Sequence, residues 1–76
     1  MRPLTLHRVN DQVVRVLTCH GECVGNLKLI GAVWKFKALG HDAKGHVVPG
    51  GGPLTHRHNT AFAELDEAAV SAALLA

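Results

Sequence analysis

The residues able to do chemistry in this 76-residue chain gather at two places. Pro49 to Asn59 reads PGGGPLTHRHN, three consecutive glycines between prolines followed at once by His56, Arg57 and His58. Cys19, His20 and Cys23 form the second group, in CHGEC. A backbone without Cβ atoms lets N–H groups close on an anion, so Gly50, Gly51 and Gly52 first suggest a phosphate cradle. The required context is missing. A Walker loop continues into Gly-Lys-Ser/Thr, and a dinucleotide fingerprint passes straight from a parallel strand into a helix, whereas Pro53 and LTHRHN follow here. The glycines therefore read as a turn needing positive φ, stiffened by proline on both flanks. Leu54 can pin such a crossover to the core, and Thr55 and Asn59 can bond neighbouring backbone, leaving His56, Arg57 and His58 for a carboxylate, phosphate or metal.

In an extended chain His56 and His58 point to one side, about 7 Å apart, near enough to share a metal ion. Pooled with Cys19 and Cys23 they make a Cys2His2 set that would take zinc. The spacing departs from that of structural zinc sites, which hold Cys-x2-4-Cys and His-x3-5-His a short insert apart. The alternative is plainer: Cys19 and Cys23 flank a hairpin turn, and the histidines are polar loop residues. Nucleophilic catalysis would need a thiolate beside a base, but His20 and Cys19 are sequence neighbours that a strand sends to opposite faces, and no third orienting residue is evident. The carboxylates are scattered. The chain reads as a non-enzymatic protein with no cofactor, zinc being the alternative.

Composition narrows the partners. Hydrophobic residues make up 47% and charged ones 18%, the latter below the roughly 25% of average soluble domains, which points to self-association and a homodimer. A net charge of +2 demands neither nucleic acid nor anionic lipid. Lys35 and Lys37, with Arg15 and Arg57, allow a basic face and hence weak binding of single-stranded nucleic acid, but the few aromatics are needed in the core and no stacking platform remains. No apolar run is long enough for a secretory h-region or a membrane span, so the expected location is the cytoplasm, with both cysteines reduced.

These groups must be carried by a single small domain, residues 1–76. Leu4 and Leu6 alternate with polar neighbours, NDQ reads as a turn, and VVRVLT is rich in β-branched residues. VGNLKLI continues the extended pattern. In VWKFKAL the period of two is cleanest, with Trp34, Phe36 and Ala38 on one face and Lys35 and Lys37 on the other. A short strand HVV ends at Pro49. The C-terminal AFAELDEAAVSAALLA is helical by propensity. Asp66 suits the N-cap, and Leu65 with Val70 suits a hydrophobic staple, while residues 60–65 read either as a last strand or as the start of the helix. The fold class expected is α+β: an antiparallel meander of about four to five strands with one C-terminal helix packed on one face.

The stretch GAVWKFKALG, Gly31 to Gly40, is similar to the Trp-Lys-Phe strand near the end of tellurium-resistance stress proteins. The acidic calcium-binding stretches of that family have no counterpart here, and the resemblance carries no function across. The functional expectation is a small binding or assembly module, self-associating. Its first alternative is a metal or small-anion binder using Gly50–Asn59, and its second is the nucleic-acid binder through Lys35, Lys37 and Arg57.

Overall fold

A computed structural model describes residues 3–76. Five strands form an antiparallel meander: β1 (Thr5–Asn10), β2 (Val13–Leu17), β3 (Cys23–Ile30), β4 (Val33–His41) and β5 (Val47–Pro49). A two-residue β6 (Ala61–Phe62) pairs with the first half of β4, on the edge whose second half is taken by β5. One helix, α1 (Glu67–Leu74), follows. This is the expected α+β meander with one C-terminal helix.

Alternation decides which face is covered. Val14 and Val16 on β2, Leu27 on β3, and Trp34, Phe36 and Ala38 on β4 all turn to the inner face, where Leu4, Leu54, Val70 and Leu74 complete the core. Phe36 is fully buried at the centre, and its ring lies over Gly25, where any Cβ would collide with it. Trp34 sits nearer the rim, 9% exposed, with the Arg8 guanidinium 5.8 Å above its ring. The opposite face carries Arg15, Lys28, Lys35 and Lys37 and has no helix upon it.

The chain between β6 and α1 settles the ambiguity over residues 60–65. Ala61 and Phe62 pair with Lys35 and Trp34, and the Asp66 carboxylate accepts from the N–H groups of Ala68 and Ala69, starting the helix there. Val70 is buried in the core and the half-buried Leu65 packs against it, as a staple would have them.

α1 also masks the free edge of β1. Glu67 and Ser71 lie one helical turn apart, about 6 Å, matching the roughly 6.6 Å between alternate edge amides of a strand. Accordingly Leu4 N–H donates to Ser71 Oγ at 2.8 Å and Leu6 N–H to Glu67 Oε2 at 3.0 Å. Among the described residues no helix is long and apolar enough to cross a membrane.

Candidate functional site

The crossover from Pro49 to Asn59 is built on β4. Gly50 N–H donates to Ala38 O at 2.8 Å and Gly51 N–H to Val48 O at 3.1 Å, so two of the three glycine amides are already bonded to the chain's own carbonyls rather than free for a ligand. Gly52, at φ 87°, lies backbone to backbone against Leu39 and Gly40, leaving no room for a Cβ on either Gly52 or Gly40. The glycine run thus serves close chain packing. Leu54 is buried and pins the loop, Thr55 Oγ1 donates to Gly50 O, and a 3-10 turn (Thr55–Arg57) leads to Asn59 at φ 72°.

His58 has a specific task. Between the segments of β4 that pair with β6 and β5, Phe36 bonds the backbone of Asn59 and Thr60, but Ala38 N–H has no backbone partner across the gap. The Nδ1 of His58 accepts that N–H at 3.0 Å, with the proton of the neutral ring then on Nε2. Arg57 turns elsewhere: its Nη2 donates to Ala76 O at 2.6 Å, while Nε is buried without a partner. It does not join Lys35 and Lys37, of which Lys37 donates to Asn59 Oδ1 on the open face.

The candidate metal set does not assemble, and among the described residues no three His, Cys, Asp or Glu side chains come together as metal donors. Cys19 and Cys23 are free thiols. Cys23 Sγ donates to Gly25 O at 3.3 Å, and Cys19 stands on the exposed turn between β2 and β3.

What the tertiary structure does bring together is Cys19, His20 and His56, around an open cleft of about 750 Å³. The turn is shaped by Thr18, whose Oγ1 accepts from His20 N–H and Glu22 N–H and whose own N–H donates to Glu22 O. On the next strand the register slips: Val16 pairs with Gly25 and Leu17 with Cys23, making Val24 the extra residue of a bulge. A bulge re-aims side chains, and Val24 is buried against the core and lines the cleft. Leu4, Leu54 and Leu74 share that floor with Val24. Pro53, Leu75 and Ala76 complete the walls. Among the described residues no formally charged side chain lines it; its polar side chains are one hydroxyl, one thiol and two imidazoles.

Such a cleft holds an apolar body and offers a hydrogen-bonding head two imidazoles able to donate or accept. The sequence offers His20 only in company with Cys19 and Cys23, and the joining of His20 to His56 over an apolar floor carries no periodic signal; the one available sign of the floor is the apolar Leu74–Leu75–Ala76 run at the end of α1. Comparison of the chain with family models, with curated proteins and with solved structures finds no match in any of the three.

Proposed function

We propose that the chain is a non-enzymatic binding module of the cytoplasm that takes a small apolar molecule with one hydrogen-bonding head in the cleft between the β2–β3 turn and the glycine loop. A medium-chain carboxylic acid or alcohol has the right chemistry. The observation that carries this reading is the convergence of His20 and His56 on a cavity floored by core leucines and Val24. The volume, about 750 Å³, lies within the range of small-molecule sites. An amide and methyl NMR titration with a series of medium-chain acids and alcohols is the test. Shifts of the Leu54 and Leu74 methyls and of both imidazoles are expected, and His20→Ala or His56→Ala should weaken binding about fivefold, the worth of one net hydrogen bond. Silence of those methyls at millimolar ligand would overturn the reading.

Self-association is the second reading, favoured by the exposure of Val9 (54%) and Ile30 (47%). Both belong to strands that end at the same end of the sheet. Sedimentation over a hundredfold range of concentration decides it: a dimer that Val9→Glu dissociates supports the reading, and a monomer throughout removes it.

A further inference from the structure

The uncovered face of the sheet is a second feature, independent of the cleft. By the strand register, His7, Arg15, Asn26 and Lys37 form one row across β1 to β4, and in the next row of side chains on that face Lys28 stands directly opposite Lys35. None of the six carboxylates stands on a strand. Asp11, Glu22 and Asp42 lie in turns, and Glu64, Asp66 and Glu67 lie just before the helix or in its first turn. A net charge of only +2 therefore conceals a segregated distribution, with four cations on one open face and the acids elsewhere.

Like charges directly opposite one another in a sheet are unfavourable, and a polyanion bridging Lys28 and Lys35 removes that repulsion. Strands about 4.8 Å apart and rows about 6.6 Å apart put the four cations within a patch of roughly 10 by 7 Å. Trp34 and Phe36 face the core and Phe62 packs against it, so this face offers charge without a stacking platform. Single strands are held largely by base stacking, whereas a duplex presents a charge about every 1.7 Å of its axis, twice the density of one strand. We propose that Arg15, Lys28, Lys35 and Lys37 bind the phosphate backbone of duplex nucleic acid, without reading its sequence. Of the basic face that the sequence allows, Lys35, Lys37 and Arg15 stand on this side of the sheet; the fold withdraws Arg57 to Ala76 and supplies Lys28 opposite Lys35.

The test is fluorescence anisotropy with a labelled 20-base-pair duplex between 50 and 200 mM KCl. Four phosphate contacts predict a log–log salt slope of about −3.6, a loss of affinity of about a hundredfold over that range. Lys28→Gln with Lys35→Gln should bring the slope to about −2, while the double variant melts no lower than the parent because it relieves a repulsion. Lys44→Gln, in the β4–β5 turn, should leave the slope unchanged. The proposal is overturned if Lys44→Gln weakens binding as much as the double variant does, if the slope survives the double variant, or if a single strand of equal length or phosphatidylserine vesicles bind more tightly than the duplex.

Discussion

His58 does with an imidazole what a strand neighbour does with a carbonyl. Its Nδ1 accepts Ala38 N–H, at 3.0 Å, where the departing loop leaves the edge of β4 without a backbone partner. A buried or half-buried N–H left unpaired costs about 1–3 kcal/mol, and His58→Ala should lower the unfolding free energy by that amount in urea melts. Asn carries an acceptor oxygen at the same distance along its side chain as Nδ1, so His58→Asn is expected to recover most of the loss. If Ala and Asn variants melt alike, the imidazole acts through packing rather than as an acceptor. The residue that looked most like half of a metal pair is thereby committed to the sheet, and its partner in sequence, His56, is the one released to the cleft.

At the scale of elements, the helix and the turns matter through the amides they satisfy. Ser71 is buried and its Oγ accepts from Leu4 N–H, while Glu67 reaches the more exposed Leu6 N–H. Ser71→Ala should therefore cost about 1–3 kcal/mol, and Glu67→Ala less than about 1 kcal/mol, measured by chemical denaturation. Reversal of that order would mean that charge rather than amide satisfaction holds the helix to β1. In the β4–β5 turn the Asp42 carboxylate accepts the N–H groups of His46 and Lys44, and these bonds hold its pKa below the ordinary aspartate value, with the His46 side chain adding to the effect. The sign follows from a depressed folded value: the contribution is complete above the unfolded pKa of about 3.9 and is lost as pH falls through the lower folded one. Carboxyl NMR should place the Asp42 midpoint below the ordinary value, and Asp42→Ala should abolish the extra pH dependence in acid. A midpoint at or above the ordinary value would contradict the turn geometry.

For the molecule as a whole, one covered face and one open face define the architecture. The covered face is centred on Phe36, fully buried with its ring on Gly25, whereas Trp34 lies at the rim beneath Arg8. From alternation alone Trp34 ranks as the most costly side chain to truncate, being the largest. Burial moves that rank to Phe36. Phe36→Ala should cost about 3–5 kcal/mol, a large share of the total stability of a domain this small, and abolish cooperative unfolding. Trp34→Ala should retain a cooperative melt at a lower midpoint. The opposite ranking in thermal melts would place the centre of the core at the β6 end of the sheet.

Local chemistry made much of this fold legible without coordinates. Alternation over Leu4–Leu6 and Trp34–Ala38 assigned the inner face, because a pleated strand sends successive side chains to opposite sides whatever lies beyond them. Asp66 marked the helix start for the same kind of reason, since an N-cap acts on amides two and three residues away. The tertiary structure decided what depends on distant pairs. Ala38 and His58 are 20 residues apart and Leu4 and Ser71 are 67 apart, and no periodicity links them. The register slip that turns Val24 inward belongs to the pairing of β2 with β3, while the withdrawal of Arg57 to Ala76 and the placing of His20 and His56 around one cleft depend on how the loop and the helix fold back onto the sheet. Residue types along the chain supplied the candidate groups; only the closure of the fold determined which of them face one another and which are consumed in holding it closed.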